Sequence, residues 1–226
     1  MIKMDKMIVY EDEVLLVVHK PAGIATETAR VGQADLVSEL KNYRRRKGED
    51  AYIGVVHRLD QPVEGLLVFA KDAPTARTLS GSLQKGRLTK KYAALVAGVL
   101  DAQEGTLTDM LRKDGRSNLS AVVPSGTEGA KEAALHWKLM RHNEVCSLVE
   151  IELYTGRHHQ IRVQMAHAGF PLLGDFKYGS ASSKQLSNQL SVNSTALMAY
   201  EIHLRHPATG ETMEFSLNLD KFHKIF

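Results

Sequence analysis

The sequence predicts an α+β fold, and three observations carry that prediction. Apolar runs of strand length alternate with stretches of helical periodicity, but without the regular strand-helix-strand order of a doubly wound parallel sheet. The 226 residues are 43% hydrophobic and 24% charged, the balance of an ordinary globular chain. No internal repeat and no Pro-rich linker interrupts them, so a single domain spanning residues 1–226 is expected.

In chain order, EVLLVVHKPAG (13–23) is a β-branched run ended by Pro-Ala-Gly, a buried strand entering a turn. From Asp35, an N-cap residue type, Leu36, Val37, Leu40 and Tyr43 form a helical stripe that Gly48 stops. AYIGVV (51–56) and GLLVFAKD (65–72) read as strands flanking the polar stretch HRLDQPVE (57–64). Asp72 caps a second helix, marked by Ala76, Leu79 and Leu83 and stopped by Gly86. KKYAALVAGVL (90–100) is a further strand, residues 101–130 are rich in turn signals, and KEAALHWKLM (131–140) and SLVEIELYTG (147–156) are paired strand candidates. After Gly156, Ile161, Met165 and Ala168 recur at helical spacing, so Arg157, His158, His159, Gln160 and Arg162 are expected to open a helix with His158 and Arg162 on one face. The polar segment 179–195 reads as a loop, and MAYEIHLRHP and TMEFSLNL close the chain as strands joined by Pro-Ala-Thr-Gly.

Composition narrows the function. Twenty-nine Lys and Arg oppose 26 Asp and Glu, a net charge of +3 that neither demands nor excludes a nucleic-acid partner. Nine of those basic residues, however, lie in two acid-free stretches, 41–47 and 85–91. The first, with Arg44 and Arg45, is either a solvated helix end complementing the dipole or an RNA-backbone contact. A single cysteine, Cys146, rules out an internal disulfide and a Cys-based zinc site, and fits the cytoplasm. No secretory signal stands at the N-terminus, and the longest apolar runs fall far below the roughly 20 residues of a membrane-spanning helix.

Three segments could carry chemistry. HRLD (57–60) is a surface turn with an Arg58–Asp60 pair, or it presents the Asp60 carboxylate at a rigid strand end as nucleophile, base or ligand. GRHHQIRVQMAHAG (156–169) holds three histidines, yet 158, 159 and 167 do not share a helix face and the helix has no acidic residue, so no metal site is expected. Arg162 is instead expected to pair with a carboxylate elsewhere, Asp60 foremost, with Arg157 and the helix N-terminus receiving phosphate. Tyr92 follows Lys90 and Lys91, either an ordinary strand tyrosine or an aromatic among cations as a flipped nucleotide requires.

Taken together, HKPAG (19–23), HRLDQPVEGLLVFAKD (57–72), KKYAALVAG (90–98), GRHHQIRVQMAHAGFPLLGDFKYG (156–179) and MAYEIHLRHPATGE (198–211) resemble the ordered motifs of the RluA family of RNA pseudouridine synthases. The resemblance implies a central mixed, largely antiparallel sheet flanked by helices, no cofactor, and isomerisation of uridine to pseudouridine in structured RNA, rRNA or tRNA; the S4 domain that many relatives carry is not expected, since seven residues precede the first strand. It implies Asp60 as catalytic nucleophile, Tyr92 stacking on the base and helping to remove the C5 proton, and Arg162 as the partner of the aspartate. It further implies that Arg58 fills the gap left by the base; RNA contacts are also expected at His57, Arg157, His159 and Gln160 and, from the placement of charge in the two basic stretches, at Lys90, Lys91, Arg44 and Arg45. A monomer is expected. Val63-Glu64-Gly65 replaces the family's usual Thr-Ser-Gly, which bears on substrate choice; a catalytically silent RNA-binding protein on the same fold is the alternative reading.

Overall fold

The computed structural model describes residues 4–28 and 33–226. In chain order its elements are β1 (Ile8–Glu11), β2 (Leu15–Lys20), α1 (Leu36–Arg46), β3 (Gly54–Val55), β4 (Glu64–Ala70), α2 (Ala73–Gln84), β5 (Thr89–Ala97), β6 (Glu104–Asp114), β7 (Leu119–Val122), β8 (Lys131–His142), β9 (Cys146–Leu153), α3 (Gln160–His167), α4 (Ala181–Gln189), β10 (Leu197–Arg205), β11 (Thr212–Ser216) and α5 (Asp220–His223). The fold is α+β with antiparallel strand pairing, as expected. The chain divides into two compact units, Met1–Lys90 with Ala199–Asn218, and Lys91–Met198 with Leu219–Phe226.

In the first unit β2 lies between β1 and β4, β3 adds to β4 at Ala70 and Phe69, and β10 pairs with β11. Leu15 and Val17 of β2 and Leu66, Val68 and Ala70 of β4 form one side of the core with Leu79 of α2, Ile202 and Leu204. Their neighbours Leu16, Val18, Leu67 and Phe69 point the other way and are equally buried. Burial on both faces is why the β4 sequence is continuously apolar instead of alternating. The helix starts are the expected ones: Asp35 Oδ1 accepts the Ser38 amide at 2.8 Å and Asp72 Oδ1 the Thr75 amide at 2.7 Å. The strand expected over 51–56 contracts to Gly54–Val55, because the Tyr52 carbonyl is taken by the Arg44 side chain at 2.5 Å.

In the second unit the order is β5-β9-β8-β6-β7. Two sequence expectations fail here. Residues 101–130, expected as turns, contain the eleven-residue strand β6 and the strand β7. Along β6 the burial alternates between exposed and half-buried, so the strand lacks the apolar run that would betray it. The loop expected over 179–195 contains α4. This helix is fixed by serines in place of an apolar stripe: Ser180 Oγ accepts the Ser183 amide at 3.1 Å, and buried Ser187 Oγ donates to the Ser183 carbonyl at 2.6 Å while accepting the Gly174 amide at 2.8 Å. Among the described residues no helix is long and apolar enough to cross a membrane.

Candidate active-site residues

Asp60 stands, half-buried, in the turn between β3 and β4, where the Val63 amide closes onto the Asp60 carbonyl at 3.0 Å. The segment after β2 holds this turn from beneath. Gly23 N–H donates to the Gln61 carbonyl at 2.8 Å, Gln61 Nε2 returns a bond to the Gly23 carbonyl at 3.0 Å, and Thr26 Oγ1 both donates to the Leu59 carbonyl (2.9 Å) and accepts its amide (3.2 Å). Leu59 and Gln61, the two neighbours of Asp60, are therefore both pinned by backbone bonds. Gly65 fixes the far end of the turn: its φ of 142° and the approach of Ala199, whose amide N and O would lie 2.5 Å from any Cβ placed there, admit only glycine.

Lys20, the last residue of β2, is a site neighbour that the sequence pattern does not single out. It is fully buried, and its ammonium donates to the carbonyls of Ile24 (2.7 Å), Pro21 (3.1 Å) and Gln61 (3.2 Å). Burial pulls its pKa down to about 8 against the attraction of Asp60 and Glu64, which oppose the fall. A lysine closing a strand whose run Leu15–Val18 is apolar and fully buried was the available signal. Glu64, in the position where the family usually has a small hydroxyl residue, accepts a hydrogen bond from His19 Nε2 through Oε1 at 2.8 Å.

In the second unit Tyr92 is buried in β5 opposite Ile151 of β9. Arg162 is 2% exposed and grips Asp175 at two points, Nε to Oδ2 2.6 Å and an η nitrogen to Oδ1 2.8 Å. Sequence reasoning had not named Asp175 at all. Burial pushes its carboxyl up, but the Arg162 bonds and charge, with the amides of Lys177 and Tyr178, outweigh that and hold it below the ordinary carboxylate range.

Several residues expected to contact RNA are buried and bonded within the protein. Arg44 is buried, its guanidinium donating to the carbonyls of Tyr52 and Lys71 and to Glu49, so it ties α1 to the following strands; Arg45 beside it is exposed. His57 is buried, accepts the Val68 amide through Nε2 at 3.2 Å, and is held well below its ordinary pKa by burial and then by Lys90. Gln160 is buried and satisfies the Arg157 amide (2.9 Å), Thr155 Oγ1 (2.9 Å) and the Ala134 carbonyl (3.1 Å). These bonds delay the helix start to Gln160, so His158 precedes α3 and does not share a helical face with Arg162; its ring stacks on His159 at 3.7 Å. His159 is itself buried, with a left-handed φ of 55°. Arg58 is exposed, Lys90 and Lys91 are half-buried, and Arg157 is half-buried with Nε donating to the Glu132 carbonyl at 2.7 Å. Metal-ligand spacing occurs among the described residues not at the 158–167 histidines but at Glu201, His203 and Glu214 of β10 and β11, where His203 Nε2 lies 2.7 Å from Glu201.

A family model described as RNA pseudouridylate synthase matches residues 14–167. The chain is 39% identical over 207 residues to YhcT of Bacillus subtilis (strain 168), an uncharacterized RNA pseudouridine synthase, covering 90% of this chain and 65% of that one. It is 35% identical over 223 residues to YlyB of the same organism, another uncharacterized RNA pseudouridine synthase (96% and 70% covered), and 35% identical over 218 residues to ribosomal large subunit pseudouridine synthase D of Pasteurella multocida (strain Pm70) (92% and 65% covered). The chain thus spans about two thirds of the length of these curated relatives. Two solved structures share its fold: human RNA pseudouridylate synthase domain containing 4, with TM-score 0.78, 22% identity and 98% and 92% of the two chains covered, and human RNA pseudouridylate synthase domain containing 1, with TM-score 0.75, 23% identity and 94% and 82% covered.

Proposed function

Because the chain belongs to the RNA pseudouridylate synthase family, we propose that it isomerises uridine to pseudouridine in structured RNA, with Asp60 as the nucleophile and the whole of residues 1–226 working as one catalytic domain. The observation that carries this reading is the Asp60 turn: an aspartate whose two neighbours are tied by backbone bonds to the segment after β2, with a buried ammonium below. Ribosomal RNA is the favoured substrate, since relatives at 35% identity bear the name ribosomal large subunit pseudouridine synthase D.

The chemistry suits such a site. Cleaving the bond between N1 and the anomeric carbon leaves an oxocarbenium-like sugar, which a carboxylate stabilises or captures, as in glycosidases. The electron pair goes to the uracil; the ring turns, C5 attacks the anomeric carbon, and the Asp60 carboxylate leaves unchanged. Loss of the C5 proton, to which Tyr92 contributes while stacked on the base, and gain of a proton at N1 complete an isomerisation that consumes no oxidant, reductant or cofactor. Arg162 supplies the positive charge of the reaction in a site closed to water. Arg58, exposed next to Asp60, fills the space left by the extruded base. Lys90, Lys91, Arg157 and Arg45 bind the backbone of the RNA. We place this chemistry in the cytoplasm, in a monomer.

The test is tritium release from RNA labelled at uridine C5. Wild-type protein releases tritium from rRNA, and Asp60→Ala and Asp60→Asn release none while binding the RNA as tightly. Equal release by wild type and Asp60→Ala, or none by either across rRNA and tRNA, overturns the assignment; the second result with RNA binding intact is that of a silent RNA-binding protein.

A further inference from the structure

Arg162 is confined in its plane as well as in its charge. While its edge is engaged by Asp175, the face of its guanidinium lies over the Tyr178 ring, 5.1 Å from Cζ to the centroid. Tyr178 leaves the same turn as Asp175, to whose Oδ1 its amide donates at 3.3 Å. Its hydroxyl accepts the Ser120 amide of β7 at 2.8 Å and shares a 2.6 Å hydrogen bond with His159 Nδ1. The His159 ring stands edge-on to it, 5.5 Å between centroids, and comes from the left-handed residue directly before α3. The tyrosine ring is thus bonded to a strand on one side and to the head of the arginine's own helix on the other, and it cannot slide without breaking both.

We propose that Tyr178 is a positioning residue that sets the plane of the Arg162 guanidinium, and that His159 serves to hold the Tyr178 hydroxyl and not to bind RNA. The inference rests on the reading of Arg162 as the cation of the reaction. Two bonds to one carboxylate fix a guanidinium in register but leave it free to hinge about the line joining the two groups. An aromatic face beneath it removes that freedom, adding a cation–π attraction that grows as water is excluded. A charge stabilises a transition state only if it is already in place when charge develops, so the orientation of Arg162, and not merely its presence, governs rate. A left-handed φ at a residue with a Cβ is uncommon, and histidine is among the types that tolerate it; here it delivers the ring to the tyrosine.

Three variants of the full chain separate the parts. Tyr178→Phe keeps the ring and deletes both hydroxyl bonds, Tyr178→Leu removes the ring, and His159→Asn keeps a left-handed residue type and offers an amide oxygen where Nδ1 was. For Tyr178→Phe the expected result is a fall in kcat of about 10- to 100-fold, with KM and RNA affinity within about twofold of wild type. Tyr178→Leu falls further, and His159→Asn retains most of the wild-type kcat. A readout independent of turnover is the Nε–H resonance of Arg162 in the free protein, slow to exchange in wild type and shifted and faster to exchange in Tyr178→Phe. An unchanged Arg162 resonance in Tyr178→Phe, or wild-type kcat in that variant, overturns the inference. Full activity of Asp60→Ala would instead overturn the reading of the site, and the arginine resonance would still decide the role of Tyr178. Should Tyr178→Leu fail to fold, the Tyr178→Phe results decide alone.

Discussion

Arg162 and Asp175 form a two-point ion pair, 2.6 and 2.8 Å, in which each residue is 2% exposed. Removing one member of a buried pair leaves the other charge uncompensated, at a cost of about 3–5 kcal/mol. Asp175→Ala should therefore lose about that much stability in urea unfolding, and Asp175→Asn less, since it keeps the shape and one acceptor. The pH dependence has a definite sign. The folded-state pKa of Asp175 lies below the ordinary carboxylate value, so its stabilisation is fully present above about pH 4 and is lost as pH falls through the lower, folded value. Acid unfolding followed by circular dichroism should show a shallower loss below pH 4 in Asp175→Asn than in wild type.

The buried ammonium of Lys20 gives the opposite limb. Its folded pKa of about 8 lies below the free-lysine value of 10.5, so the unfolded chain binds more protons between the two, and stability rises as pH climbs from about 8 to 10.5. At about 1.4 kcal/mol per pKa unit, the rise has a ceiling near 3 kcal/mol. Lys20→Met should abolish this rise in denaturant midpoints. It should also destabilise the protein at pH 7 by about 1–3 kcal/mol, because the carbonyls of Pro21, Ile24 and Gln61 lose their donor.

Arg44 and Arg45, adjacent in a basic run, should behave oppositely. Arg44→Ala removes bonds to the Tyr52 and Lys71 carbonyls and should cost about 2–4 kcal/mol of unfolding free energy. Arg45→Glu should leave stability within about 0.5 kcal/mol. Only the second variant can report on RNA, and it should flatten the dependence of RNA affinity on salt; an unchanged slope would remove Arg45 from the RNA surface.

Gly65→Ala should destabilise by about 3 kcal/mol or more, since the new methyl group overlaps the Ala199 backbone and the φ of 142° disfavours any side chain. Because Gly65 closes the Asp60 turn, any folded fraction should release tritium more slowly than wild type. Comparing activity per folded molecule, by active fraction from calorimetry, checks this.

By itself the sequence determined the class of fold, the caps at Asp35 and Asp72, the buried strands β2, β4 and β5, and the family. All of these are local: a side chain capping its own helix, a run of apolar residues long enough for one strand, a motif read in order. Only the tertiary structure decided what each polar residue is bonded to. Periodicity placed His158 on the helix with Arg162, whereas side-chain bonds from Gln160 to Thr155, Arg157 and Ala134 start that helix later. Charge runs placed Arg44 beside Arg45 on a surface, whereas distant carbonyls at positions 52 and 71 drew one of them inside. The strand β6 and the serine-bound helix α4 escaped notice because neither buries an apolar stripe. Asp175 and Tyr178 stood in plain view within a recognised motif, but their hold on Arg162 spans 13 and 16 residues, a separation over which sequence pattern carries no geometry.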